Sequence, residues 1–241
     1  MKRMFPEMSD RPEKGMFLPV VTYGFFAYII LPVLVAILGL DVWDDFVTTS
    51  WLELVYHLIN AGMAAFMFKG YLGESFFNVQ TDTKGFAKIV ALATFVMLSW
   101  ALVLFLNYGI EIRDAFPINE LSITVTSGLM VQELPVWGTM LHTLVVPFAI
   151  AGLFYATGFA PLCCYKSWLG YLIIPIILVI PGLLDINWRG NAELVMRMYF
   201  LRLPIHLVAC WAYQKADTIW APIACLAIFN LVTSILCMLP L

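Results

Sequence analysis

Apolar residues form seven long runs along the chain, separated by short polar connections. A helix needs about 20 mostly apolar residues to cross the hydrocarbon core of a bilayer. Because the runs approach or exceed that length, we interpret them as seven membrane-spanning helices. They cover roughly residues 17–40, 52–68, 86–108, 134–162, 168–186, 193–213 and 218–239.

The segments between these runs add little further structure. Residues 117–133 are moderately apolar and predict a short re-entrant or interfacial helix before the fourth run. The longest polar connection, KGYLGESFFNVQTDTKGFAK at residues 69–88, is expected to be a loop. Since no repeat, linker or low-complexity tract divides the sequence, we expect one membrane domain over residues 1–241.

The composition agrees with this interpretation. Hydrophobic residues make up 62% of the chain and charged residues only 12%, and the mean hydropathy is +0.90. A soluble domain keeps about a quarter of its residues charged. The chain is therefore predicted to be an all-α, multi-pass transmembrane helical bundle, with the lipid bilayer as its main partner. The sequence has no dense cluster of Lys and Arg of the kind that would indicate binding to nucleic acid.

Basic residues predict the orientation, because cytoplasmic loops of membrane proteins carry an excess of Lys and Arg. With the N-terminus in the cytoplasm, nine basic residues fall inside and two, Arg113 and Arg189, fall outside. The first apolar run is too long for a signal peptide, so we expect it to be retained. These features predict a multi-pass protein of the cell membrane. The nine inside residues are Lys2, Arg3, Arg11, Lys14, Lys69, Lys84, Lys88, Lys166 and Lys215.

Polar side chains within or beside the apolar runs are the candidate functional residues. An ionisable group inside a bilayer costs a few kcal/mol, so it survives when it is paired or lines a cavity. Spacing alone favours a hydrogen-bonded network that fixes helix packing over a catalytic or transport site. Glu193 and Arg197 lie on one helical face and could pair. The set is Glu53, His57, Asn60, Gln132, Glu133, His142, Asp185, Asn187, Glu193, Arg197, Arg202, His206 and Asn230.

The histidines and cysteines give no sign of a metal or cofactor. The three histidines, His57, His142 and His206, fall on separate runs, and no metal-binding motif joins them. The five cysteines lie in or beside apolar runs without metal-type spacing, and buried structural thiols are the simplest interpretation. We therefore predict no metal site and no cofactor.

One stretch near the C-terminus resembles a known family. In WAYQKADTIWAPIACLAIFN, residues 211–230, the segment Trp220–Ile223 reads WAPI and Asn230 follows seven residues later. This pattern resembles the third motif of the CPBP intramembrane proteases, named for CAAX-processing and bacteriocin-processing enzymes. Their motif carries a histidine four residues before the asparagine, and that position is Leu226 here.

Two weaker motifs fit the same family in order and spacing. QELPVWG at residues 132–138 resembles the first motif, in which Gln132 and Glu133 stand for two glutamates and Trp137 for an arginine. PGLLD at residues 181–185 resembles the second motif, in which Asp185 stands for a histidine. The resemblance covers about residues 128–238. An alternative frame, AELVMR at residues 192–197, keeps Glu193 and Arg197 but leaves no room for the second motif.

The resemblance implies that the catalytic groups are lost. In the family the first glutamate and the first histidine are thought to activate water, while the second histidine and the asparagine stabilise the oxyanion. Gln132 has no useful basicity, Leu226 has nothing to donate, and Asp185 does not replace an imidazole in shape or charge. Loss of one oxyanion donor already costs about 10²–10³ in rate. Degenerate motif positions are therefore Gln132, Glu133, Trp137, Asp185, Leu226 and Asn230.

Three functions follow from these observations. The first is a catalytically inactive CPBP-like protein that binds or regulates another membrane protein or a peptide, with peptide immunity suggested by the family. The alternative is an active endopeptidase with a rearranged site, using Glu133 or Asp185 and a histidine such as His142 or His206. A small transporter ranks last, because broken helices and inverted repeats are absent from the sequence.

Overall fold

The computed structural model describes residues 30, 33, 37, 46–67, 69–108, 136–150, 154–155, 158–185 and 192–238. Within these ranges the chain is all-α. The predicted span at 17–40, except for three isolated residues, and the predicted helix at 117–133 lie outside them. Eight α-helices follow one another in the described ranges: α1 Phe46–Met67, α2 Lys69–Thr81, α3 Thr83–Tyr108, α4 Val136–Ile150, α5 Ala160–Tyr165, α6 Ser167–Asp185, α7 Ala192–Ala216 and α8 Trp220–Met238.

Five of the predicted spans coincide with helices, four of them to within three residues at both ends, while α1 begins six residues before its run. These are the runs at 52–68, 86–108, 168–186, 193–213 and 218–239, which correspond to α1, α3, α6, α7 and α8. The run at 134–162 corresponds to α4, described as far as Ile150, and to α5, which begins at Ala160, and the described residues between them, 154–155 and 158–159, have π-helical backbone. Among the described residues, one helix segment, Thr83–Val103, is long and apolar enough to cross a membrane by length and composition.

The polar connection at residues 69–88 is not the loop that the sequence analysis expected. Residues Lys69–Thr81 form α2, and α3 begins two residues later. Asp82 separates the two helices, and its Oδ1 accepts a hydrogen bond of 2.9 Å from the backbone N–H of Gly85. A side-chain oxygen in that position caps the first turn of a helix.

A tight turn joins α7 to α8, and its residues explain where both helices end. Asp217 has a φ of 52°, the left-handed conformation that commonly terminates a helix. The Thr218 hydroxyl accepts a hydrogen bond from the backbone N–H of Trp220, which caps the start of α8. Pro222 lies within the first turn of α8, where its missing N–H costs nothing.

Helix α2 lies against this turn at one end of the bundle. Thr218 donates its hydroxyl to the Ser75 carbonyl at 2.9 Å, and Asn78 donates its amide to the Asp217 carbonyl at 3.0 Å. The end of α7 is also joined to the start of α6 by a hydrogen bond from Tyr171 to Gln214. This end of the bundle therefore collects α2, the starts of α3, α6 and α8, and the end of α7. It carries the exposed lysines Lys69, Lys84, Lys88, Lys166 and Lys215.

Two aromatic contacts show how α1 and α4 join the bundle. Trp51 contacts Trp137 with ring centroids 5.3 Å apart, and His57 contacts His142 further along both helices. Since both contacts advance in the same direction, α1 and α4 run parallel. Phe148, near the end of α4, contacts Trp220 at the start of α8 with centroids 6.0 Å apart. The helices α4 and α8 are therefore antiparallel.

Candidate functional site

Helix α8 carries the best-described part of the family-like pattern. Leu226 and Asn230 are four residues apart, so they lie on one face of α8, and both are 0% exposed. Trp220 contributes to the packing of the same helix, since its indole N–H donates to the Leu72 carbonyl at 3.1 Å. The WAPI segment therefore has a structural role at the start of α8, independent of any chemistry.

Residues of the first motif are divided between described and undescribed parts of the chain. Gln132 and Glu133 precede α4 and lie outside the described residues. Trp137 is 59% exposed and packs against Trp51, so its side chain lies on the outside of the bundle. Gly138, the next residue, is buried.

Asp185, from the second motif, does not lie level with Leu226 along the bundle. It is the last residue of α6, about 27 Å of helix rise from Ser167, while Leu226 is about 9 Å from Trp220. Both helices start at the same end, so the two backbone positions differ in depth by roughly 18 Å. The side chain of Asp185 lies outside the described part, as do those of Glu53, Glu193, Arg197 and Arg202.

A buried pair of histidines is the feature that sequence reasoning missed. The rings of His57 and His142 meet edge to face, with centroids 5.4 Å apart and an interplanar angle of 83°. Both residues are buried, and the Nε2 atoms of both are fully enclosed. In the sequence these histidines fall on separate apolar runs. Their contact arises because α1 and α4 run parallel with both rings at the same level, which the spacing within either run does not indicate.

Asn60 lies one turn beyond His57 on the same face of α1. That face also carries Leu54 and Ala64, which are buried, and α1 packs mainly against α4. Asn60 is 0% exposed, and neither its amide nitrogen nor its amide oxygen has a hydrogen-bond partner among the described residues. We name His57, Asn60 and His142 the α1–α4 polar cluster.

His206 is placed differently, inside the central core. The Tyr155 hydroxyl lies 3.0 Å from its Nδ1, and both residues are buried. Three of the cysteines, Cys163, Cys210 and Cys225, are also buried in this core. This arrangement fits a packing role for His206. Within the part of the chain that the structure describes, no group of three His, Cys, Asp or Glu side chains is placed to hold a metal ion.

His142 and Leu226 lie at similar depths. His142 precedes Phe148 by six residues, and Leu226 follows its contact partner Trp220 by six residues in the antiparallel helix. At about 1.5 Å per residue, both lie about 9 Å from that aromatic contact along the helix axes. His142 therefore lies near the depth of Leu226, but it belongs to α4 and its ring contacts His57.

No protein-family model, no curated protein and no solved structure matches this chain. The resemblance to CPBP intramembrane proteases therefore rests on the motif residues alone.

Proposed function

We propose that this chain is a multi-pass membrane protein with the frame of a CPBP intramembrane protease and no peptidase activity. It acts by binding another membrane protein or a peptide. About seven helices span the cell membrane, with the N-terminus and the lysine-bearing end of the bundle in the cytoplasm. The motif resemblance supports the proposed family, and the distribution of side chains on the described helices supports insertion in a membrane.

The distribution of side chains on α3 supports insertion in lipid. Phe95 is 68% exposed and Leu102 is 56% exposed, while Ala93, Thr94 and Met97 on the other face are buried. Small and weakly polar residues between helices with large apolar residues outside are typical of membrane bundles. In water, such a stripe would be a large exposed apolar patch.

The interior of the bundle supports the same conclusion. It encloses several polar side chains, which include His57, Asn60, His142, His206 and Asn230. The outside exposes Phe66, Phe77 and Trp168. Polar residues inside and apolar residues outside suit a protein whose solvent is hydrocarbon.

The complete burial of Leu226 carries the proposal that the protein is catalytically silent. An oxyanion donor must be a polar group that faces the reacting carbonyl. Leu226 is an enclosed aliphatic side chain at the position where the family has a histidine. The depth difference between Asp185 and Leu226 keeps these two positions from reaching one scissile bond, so it supports the absence of activity and weighs against the match of PGLLD to the second motif.

The test is cleavage of prenylated and unprenylated peptides by the purified protein in proteoliposomes. We expect no cleavage above a protein-free control, and the same result for Glu133→Ala. Cross-linking in membranes followed by purification should then recover a specific membrane protein or peptide in stoichiometric amount. Cleavage that disappears in Glu133→Ala would disprove the silent assignment.

The depth of His142 favours a second candidate, an active endopeptidase with a rearranged site. In that case a histidine on α4 would replace the one missing from α8. The same assay separates the two functions, since His142→Gln should then abolish a cleavage that His206→Gln leaves intact. Absence of cleavage in the unmodified protein excludes this candidate for the substrates tested.

A further inference from the structure

We propose that the α1–α4 polar cluster binds a first-row divalent transition-metal ion, with His57, His142 and Asn60 as ligands. The inference does not depend on whether the chain cleaves a peptide. It rests on the geometry of the two imidazoles, on the burial of the cluster and on the state of Asn60.

The two imidazole rings have the separation that a shared ion requires. Imidazole nitrogen binds Zn²⁺ at about 2.0–2.1 Å, so two rings on one tetrahedral ion have centroids about 5 Å apart. The rings of His57 and His142 are 5.4 Å apart and steeply inclined. Rotation about the side-chain torsions could therefore direct one nitrogen of each ring to a common point without moving the helices.

Asn60 provides the independent observation. A buried carboxamide with neither group hydrogen-bonded costs free energy, and such groups in native proteins usually have a partner such as water or an ion. Asn60 is 0% exposed, stands one turn from His57 and has neither amide group hydrogen-bonded within the described residues. Its oxygen can serve as a third ligand and thereby satisfy the buried amide.

The donor set indicates the class of ion. Two imidazole nitrogens and one amide oxygen suit Zn²⁺, Ni²⁺ or Cu²⁺ better than Mg²⁺ or Ca²⁺, which take oxygen ligands. Three protein ligands leave a coordination position for water. The Trp51–Trp137 pair lies before the cluster along both helices.

The experiment uses the full-length protein in detergent micelles, stripped with a chelator and freed of any affinity tag. The chain has only three histidines, so background binding by imidazole is small. Zn²⁺ is titrated by competition with a chromophoric indicator, and Co²⁺ reports the ligands by its visible spectrum. We expect one ion per chain, with affinity at least tenfold weaker in His57→Gln and in His142→Gln.

Two further variants sharpen the test. Asn60→Asp places a carboxylate where the amide oxygen stands and should tighten binding at least tenfold. His206→Gln removes the histidine outside the cluster and should leave binding unchanged. Each variant is first compared with the unmodified protein by circular dichroism and size-exclusion chromatography, and a His→Gln variant that does not fold is replaced by the corresponding His→Asn substitution.

Several outcomes would overturn the proposal. One is the absence of saturable binding above a detergent blank. Another is equal binding in the unmodified protein and in the two cluster variants. A thiolate charge-transfer band with Co²⁺ would show that cysteines hold the ion, and a weaker affinity in Asn60→Asp would show that Asn60 is not a ligand.

Discussion

Trp220 donates its indole N–H to the carbonyl oxygen of Leu72 at 3.1 Å, which anchors the first residue of α8 to α2. The same indole ring contacts Phe76 and Phe148, with ring centroids 5.8 Å and 6.0 Å away. One side chain thus holds together α2, α4 and α8. The structure therefore assigns Trp220, the first residue of the WAPI segment, a structural role in joining these three helices.

Replacement of Trp220 by Phe should destabilise the bundle by about 1–2 kcal/mol, because it removes the hydrogen bond to Leu72 and keeps an aromatic ring. Unfolding by SDS in mixed micelles measures the change. Trp168→Phe is the matched control, since Trp168 is 57% exposed, and it should change stability by less than about 0.5 kcal/mol. Equal effects of the two substitutions would contradict the anchoring role.

Gly170 of α6 packs closely against Cys163 of α5 and against Phe159. A Cβ at this position would lie 2.5 Å from the Cys163 Sγ and 2.8 Å from a ring carbon of Phe159. Gly170→Ala should therefore destabilise the protein by about 1–3 kcal/mol through overpacking. Gly73→Ala in α2 meets nothing within 4 Å and should be neutral or stabilising by up to about 1 kcal/mol. Thermal unfolding of both variants checks the difference in sign.

Ionisation of Tyr71 should make the stability of the folded protein fall at alkaline pH. Burial raises the pKa of Tyr71 to about 12, although hydrogen bonds with Ser75 and Tyr213 act in the opposite direction. In the unfolded chain this tyrosine ionises near pH 10, whereas in the folded protein it stays neutral up to about pH 12. The stability that comes from keeping Tyr71 neutral is therefore fully present below pH 10 and is lost between pH 10 and 12. The loss amounts to about 2–3 kcal/mol.

Tyr71→Phe should flatten the stability profile between pH 10 and 12 by that amount. Unfolding in mixed micelles at several pH values, together with tyrosinate absorbance, measures both the profile and the ionisation. An unchanged profile in Tyr71→Phe would show that another group controls alkaline unfolding.

Leu226→His tests whether the family's histidine can simply be restored. The imidazole would enter a fully enclosed apolar position, so we expect a loss of about 2–4 kcal/mol and no peptidase activity. Leu226→Met keeps the volume and should cost less than about 1.5 kcal/mol. The proteoliposome cleavage assay and SDS unfolding give both readouts. A gain of cleavage in Leu226→His would mean that the remainder of a catalytic site is intact.

Apolar runs predicted the helices well, because the length and composition of a helix in a membrane bundle are local properties of the sequence. The ends of α6 and α8 lie within two residues of the predicted boundaries. The helix α2 was missed because its residues are mixed in polarity. Its order depends on hydrogen bonds to Asp217 and Thr218, which are more than 130 positions away in the chain.

The candidate site was harder to predict from the sequence than the fold. The spacing of Leu226 with Asn230 and of His57 with Asn60 puts each pair on one helical face, because each pair lies on one helix. The contact between His57 and His142 depends on the parallel packing of α1 and α4. The hydrophobic pattern of a helix shows which face is buried, but it does not show which other helix packs against that face. The predictions for Gln132 and Glu133 concern residues outside the described part and remain predictions.

The hydrogen bonds between α2 and the α7–α8 turn have a consequence for biogenesis. They join residues in the first third of the polypeptide to residues near its C-terminus. The helix α2 therefore cannot complete its native contacts until almost the whole chain has been synthesised. During synthesis the early helices must therefore persist in the bilayer as an incomplete assembly, exposed to insertase, chaperone and protease. Deletion of α8 alone would leave the product permanently in that vulnerable condition.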